Sequence, residues 1–184
     1  MIRMFRGAAA AAIVTLAAPV LAQTPAPTAN PITQSLRATW TDAKTNFRRS
    51  ADVMPEAKYS FKPVDSVRTY GAILAHVAGA SYEFCAAAKG EKPPHAEAEF
   101  EKSAKTKAEI VKALDGAFAY CDDVYKTLDD GKAAQVVPGA FGGPPSARAA
   151  SLIGNTGHVQ EHYGNLVTYL RISGLVPPSS APQK

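Results

Sequence analysis

The chain of 184 residues is poor in cysteine, since Cys85 and Cys121 are the only two. It also lacks an excess of one charge sign, because 20 basic residues face 16 acidic ones and the formal net charge is +4. Lysines alternate with acidic residues between 97 and 109, a pattern typical of a solvated face rather than a basic stripe. Nucleic acid is therefore not an expected partner.

Long apolar runs are missing beyond the N terminus. One alanine-rich run, residues 7–20, follows Arg3 and Arg6 and precedes a small-residue cleavage site. This pattern predicts a signal peptide over residues 1–22 and an exported product, periplasmic or secreted, with no membrane span after cleavage. An uncleaved anchor is the alternative, although spanning a bilayer takes about 20 residues. Residues 23–31 are rich in proline and predict a disordered lead-in.

Strand-like alternation is almost absent, and four helical segments are predicted instead. N-cap residues, helix-spaced apolar residues and terminating glycine or proline mark their ends. The bounds are about 32–53, Thr69 to Ala88, Thr106 to Leu128, and Ser146 to Gly174. These segments predict an all-α fold, a four-helix bundle over residues 32–178, followed by a disordered tail at 179–184.

The two cysteines indicate how the helices run. Cys85 lies sixteen residues after the predicted cap Thr69, and Cys121 lies fifteen after Thr106. A disulfide, which export would allow to persist, joins them only if the second and third helices are parallel, since antiparallel helices would separate them by roughly 15 Å or more. We therefore predict a Cys85–Cys121 bridge, a long crossover at about 89–105, and an up-down-down-up order. Two separately buried thiols are the alternative.

A pair of histidines carries the strongest chemical signal. His158 and His162 are spaced i, i+4, which places their Cβ atoms roughly 5–6 Å apart on one helix face. Both imidazoles can then bind one metal ion. By itself the His-x-x-x-His spacing is a moderate signal, and it needs a third ligand.

The third ligand is predicted on the second helix. His76 follows an i, i+3, i+4, i+7 apolar stripe with Ile73, Val77 and Ala80 and should point inward. A lone inward histidine is more often a core residue, but three converging imidazoles leave coordination positions open to water or substrate. His95, after two prolines in the crossover, is predicted to be exposed.

Residues 158–162 also match H-x-x-E-H, the inverted zinc-protease signature. That chemistry uses Glu161 as a base and takes a further acidic ligand downstream. After His162 the chain has no aspartate or glutamate. The protease interpretation therefore lacks a ligand, and Glu161 is expected near the bundle edge, where it could orient an imidazole.

The chain resembles the DinB-like (DinB/YfiT) four-helix proteins. The resemblance rests on residues 68–76, on His158 with His162, and on residues 161–171 running into 174–178. It implies an up-down-down-up bundle that holds one divalent metal ion, zinc or nickel being the usual candidates, through His76, His158 and His162. Relatives in this family include thiol-dependent transferases and isomerases of the cytoplasm. An exported chain would differ from them in its location.

Two functional classes follow. In the first, a metal-dependent hydrolase acts on an unknown small-molecule substrate through a metal-bound water, with Glu161, Tyr163 or Tyr82 as candidate helpers and no catalytic residue assigned. In the second, the bundle is a non-catalytic metal-binding or stress-response module. Thiol-dependent transfer is a further alternative. The sequence leaves open whether two copies pair as a homodimer and whether residues 138–145 cover the site.

Overall fold

A computed structural model describes residues 29–182 of the chain. The predicted signal peptide, most of the predicted lead-in and the last two residues of the predicted tail lie outside this range. Six α-helices and one pair of two-residue strands are described: α1 (Pro31–Val53), α2 (Tyr70–Lys89), α3 (Glu99–Ser103), α4 (Lys107–Thr127), α5 (Asp130–Ala133), β1 (Val136–Val137), β2 (Ser146–Ala147) and α6 (Arg148–Ile172). The four long helices agree with the four predicted ones.

Local sequence sets most helix ends. The Thr69 hydroxyl accepts a hydrogen bond from the Ala72 amide and caps α2, and Thr106 with Glu109 forms a capping box at the start of α4. Such caps satisfy backbone amides that have no partner within the helix. The predicted cap at Ser146 is wrong. Ser146 pairs with Val137 across the two strands, and α6 begins after Ala147 with no side-chain cap.

The long helices form an up-down-down-up bundle. The Tyr70 hydroxyl donates to the Ser50 carbonyl oxygen, so the start of α2 lies beside the end of α1. A disulfide joins Cys85 of α2 to Cys121 of α4, with 5.4 Å between the Cα atoms. Because these cysteines are nearly equally far along their helices, α2 and α4 run parallel, as the sequence predicted. The chain crosses between them through α3.

Aromatic residues fill the core between α1 and α4. Trp40 stacks on Tyr125 with ring centroids 4.9 Å apart, and Phe118 meets Trp40 edge to face at 5.3 Å. The Tyr125 hydroxyl donates to the Leu152 carbonyl oxygen, which ties this cluster to α6. Buried aromatic rings stabilise a fold through the apolar area they bury and through ring–ring contacts.

Across residues 29–182, no helix has the length and apolar character to cross a membrane.

The crossover lies directly on α2. A Cβ atom on Gly79 would lie 2.7 Å from the Glu97 carbonyl carbon, closer than van der Waals contact allows. A glycine is thus required where the backbone of the crossover meets the helix. Gly79 follows His76 by three residues, so the crossover passes over the histidine at this point.

The C-terminal segment differs from its prediction where it is described. Residues Pro178–Ser180 form a 3-10 turn, and Pro178 is buried. The Tyr163 hydroxyl donates to Ser179 Oγ and accepts from the Ser179 amide, both over 2.9 Å. These contacts hold at least the first residues of the predicted disordered tail against α6.

Candidate metal centre

Three histidines from two helices meet between α2 and α6. His76 comes from α2, whereas His158 and His162 stand one turn apart on α6. Nε2 of His158 lies 3.1 Å from Nε2 of His76 and 3.1 Å from Nε2 of His162. His76 is 7% exposed, and the other two rings are half-buried. The structure therefore brings together all three histidines that the sequence singled out.

The spacing of the nitrogens fits a shared metal ion. The candidate ligand atoms of the three residues all lie within 4.8 Å of one another. Two imidazole nitrogens that bind one zinc ion at about 2.0–2.1 Å are roughly 3.0–3.4 Å apart at near-tetrahedral angles. The observed 3.1 Å separations lie within that interval. Imidazole is also a ligand that suits zinc and nickel.

A carboxylate fixes the tautomer of His76. Nδ1 of His76 lies 3.1 Å from Glu101 Oε1 and 3.6 Å from Glu97 Oε1. A carboxylate only accepts hydrogen bonds, so Nδ1 carries the proton and the lone pair of a neutral His76 ring is on Nε2. That lone pair faces the other two rings. Glu101 is in turn paired with Arg68, whose Nε lies 3.1 Å from Oε2.

The two histidines of α6 are held in the neutral form that a metal requires. Burial, followed by the charges of His162, His76 and Arg68, lowers the pKa of His158 from 6.5 to about 4. Burial and the charge of His76 also lower the pKa of His162. Both rings thus offer a lone pair at neutral pH.

The outer nitrogens of these two rings differ in their surroundings. The Asn165 side-chain amide lies 3.3 Å from Nδ1 of His162, and its oxygen can accept the Nδ1 proton when the amide is turned over. Nδ1 of His158 is buried and has no hydrogen-bond partner among the described residues. Nε2 of His158 lies within hydrogen-bond distance of Nε2 of both other rings. A metal ion bound by the three rings would take the place of these contacts.

The sequence did not reveal the two carboxylates as residues of the site. Glu97 and Glu101 were placed on a solvated face because they alternate with lysines. Their position depends on the crossover, which packs on α2 at Gly79 and carries Glu101 one turn beyond Glu97. A glycine three residues from a candidate ligand was the one local signal that another segment approaches there.

The other candidate residues lie elsewhere. Tyr163 is bonded to Ser179, and Tyr82 packs on His95 and Phe100 at the crossover, with ring centroids 4.8 and 6.0 Å away. His95 is half-buried rather than fully exposed, and its Nδ1 lies 3.0 Å from Glu99 Oε1. Glu161 is exposed, and the described contacts include no hydrogen bond from its side chain.

Comparisons with known proteins support the helical fold described above. The family model of the DinB superfamily matches residues 39–166. This range includes all three histidines and most of the four long helices. No curated protein matches the sequence.

Solved structures share the fold at low sequence identity. A DinB-like protein from Bacillus cereus is 15% identical, with a TM-score of 0.67 over 79% of this chain and 95% of its own. A second, from Bacillus subtilis, is also 15% identical, with a TM-score of 0.59 over 76% and 92%. A mycothiol-dependent maleylpyruvate isomerase is 16% identical, with a TM-score of 0.61 over 73% of this chain. The match spans 60% of the isomerase.

Proposed function

The chain belongs to the DinB superfamily, and on that premise we propose that it binds one divalent metal ion, zinc or nickel, through His76, His158 and His162. The observation that carries the proposal is the pair of 3.1 Å separations that join the three Nε2 atoms. All three ligands are neutral imidazoles, so a divalent ion bound by them keeps its full charge. A bound cation of this kind supplies Lewis acidity to a water molecule or to a substrate carbonyl or phosphoryl oxygen.

The surrounding residues support a role in hydrolysis. Glu101 holds the His76 ring in one tautomer and one orientation, and a carboxylate in this position increases the basicity of the ligand nitrogen. Arg68 partly balances the charge of that carboxylate. His158 and His162 are half-buried and thus remain partly exposed to solvent. We propose that the protein is a metal-dependent hydrolase for a small molecule.

A substrate panel tests this hydrolase proposal. Zinc-loaded and nickel-loaded protein should hydrolyse at least one of a set of esters, amides, phosphate esters and lactones, and His158→Ala should remove that activity. His95→Ala is the matched control, since His95 lies outside the centre and should leave the rate unchanged. Uniform inactivity of the loaded protein would favour a non-catalytic metal-binding or stress-response module.

Thiol-dependent transfer is a second candidate, favoured by the fold shared with the mycothiol-dependent isomerase. The chain supplies no thiol of its own among residues 29–182, because both cysteines are in the disulfide. A transferase would therefore need a low-molecular-weight thiol. A rate that appears only when such a thiol is added to the loaded protein would identify this class.

We also propose that the protein is exported. The basic and apolar pattern of residues 1–22 supports export, and so does the Cys85–Cys121 disulfide, since such bonds persist mainly in oxidising compartments. N-terminal sequencing of the protein isolated from its cell envelope should begin after Ala22. A sequence that begins at Met1 would contradict cleavage.

A further inference from the structure

A strained phenylalanine stands near the metal centre. Phe141 adopts φ 54° and ψ 31°, in the left-handed region that side chains with a Cβ atom avoid. The residue is 48% exposed. Glycine would be favoured at this position by the backbone, and a polar side chain by solvent. A large apolar ring is unfavourable on both counts, which indicates a role other than stability.

Phe141 is connected to the metal centre through Phe84. The two rings meet edge to face, with centroids 4.9 Å apart, and the Phe84 ring lies 5.8 Å from the ring of His158. Phe84 fits into a notch on α6, because a Cβ atom on Gly154 would lie 2.9 Å from its Cε1 atom. The two phenylalanines thus continue the surface of the centre beyond His158.

The flank of the centre at Nδ1 of His76 is charged. Glu97 and Glu101 lie beside Nδ1 of His76, and Arg68 is paired with Glu101. An apolar group placed there would remove water from three charges without replacing their hydrogen bonds, which is costly. We therefore expect an apolar group of a metal-bound ligand to lie beside Phe84 rather than beside Glu101.

We propose that Phe84 and Phe141 form an apolar wall of the metal centre, and that the centre takes a small organic ligand whose metal-binding group carries an aromatic substituent. This inference rests on the proposed function, since it needs the bound metal. It specifies the class of ligand, and it makes Phe141 a residue that determines specificity. An aromatic ring is favoured because the edge-to-face arrangement of the two phenylalanines can accept a third ring in the same way.

Two hydroxamates that differ in a phenyl group test the proposal. Protein loaded with Co²⁺ is titrated with acetohydroxamate and with phenylacetohydroxamate, and the visible absorption of the cobalt reports binding. Wild-type protein should bind the phenyl compound roughly three- to tenfold more tightly, as expected for one added aromatic pair. Phe141→Gly should lose most of that preference and keep its affinity for acetohydroxamate.

Stability separates a role in binding from a role in folding. Phe141→Gly relieves the left-handed strain but loses the contact with Phe84, so it should melt close to the wild-type protein. Phe141→Ala keeps the strain, and it should lose the preference to the same degree. Val136→Ala shortens another exposed apolar side chain, which also lies between α5 and α6. It is the matched control and should leave the preference intact.

Different outcomes would contradict the apolar wall and the metal centre. Cobalt that binds and reports acetohydroxamate equally in all variants, with no preference for the phenyl compound, overturns the apolar wall alone. A preference that survives in Phe141→Gly overturns it too. A chain that takes up no cobalt overturns both proposals.

Discussion

Glu101 accepts a hydrogen bond from Nδ1 of His76 over 3.1 Å, and it does so from a short helix in the crossover rather than from the bundle itself. The carboxylate holds the ring so that Nε2 faces His158. The orientation of one candidate ligand therefore depends on a segment outside the four long helices. We therefore expect metal affinity to be sensitive to residues that do not touch the ion.

Replacement of Glu101 tests this dependence. Glu101→Ala should lower zinc affinity by about 10- to 100-fold, because the ring loses its orienting partner. Glu101→Gln can still accept the bond and should recover part of the affinity. Competition titration against a chromogenic chelator measures both. Glu99→Ala, on the same short helix but paired with His95, is the control. Equal affinities for all three variants would remove Glu101 from the centre.

The contact between Gly79 and Glu97 leads to a second prediction. Gly79→Ala forces the crossover away from α2 and should lower the free energy of unfolding by about 1–3 kcal/mol. It should also weaken metal binding, because Glu97 and Glu101 move with the crossover. Denaturant titration and chelator competition measure the two effects.

Gly164 provides the matched control for this substitution. It is exposed on α6, and a Cβ atom there meets nothing within 4 Å. Gly164→Ala should raise the free energy of unfolding by about 0.5–1 kcal/mol, through lower chain entropy in the unfolded state. A Gly79→Ala protein as stable as the wild type would show that the crossover is not held against α2.

The disulfide should contribute to stability but not to metal binding. It joins cysteines that are 36 residues apart in the sequence. The loss of loop entropy in the unfolded chain then stabilises the fold by about 3–4 kcal/mol. A Cys85→Ala, Cys121→Ala double variant should lose about that much free energy of unfolding and keep its zinc affinity, since the bond joins α2 to α4 and the histidines join α2 to α6. Two titratable thiols in the unfolded wild-type protein would contradict the bridge.

The Tyr125 hydroxyl connects the aromatic core to α6. It donates to the Leu152 carbonyl oxygen over 2.7 Å and lies 2.9 Å from Thr156 Oγ1. Tyr125→Phe should therefore lower the free energy of unfolding by about 1–2 kcal/mol, because a buried partner is left unsatisfied. Tyr120→Phe, on the same helix with a more exposed ring, should change it by less than about 0.5 kcal/mol. Similar values for both variants would show that the buried bond is unimportant.

Much of the fold could be predicted because its determinants are local or depend on counting residues. Thr69 and Thr106 cap their helices through bonds to residues three positions away. The parallel course of α2 and α4 followed from the nearly equal distances of Cys85 and Cys121 from those caps. Ser146 was misassigned because strand pairing with Val137, a contact across an eight-residue connection, replaced the cap.

The site could be predicted only in part. Helical spacing placed His158 beside His162, and an apolar stripe turned His76 inward. Glu101 was not identified, and Phe141 lay in the segment 138–145, for which the sequence left open whether it covers the site. An exposed, strained phenylalanine has no periodicity to reveal it, and a glutamate among lysines looks like ordinary surface.

Elemental analysis of protein purified without a metal-affinity column tests the central claim most directly. The wild-type chain and His95→Ala should each contain one zinc or nickel ion per chain, and His76→Ala, His158→Ala and His162→Ala should each contain less than about one tenth of that. A wild-type protein that stays free of metal after incubation with both ions, or a His158→Ala protein that keeps a full equivalent, would contradict the metal centre.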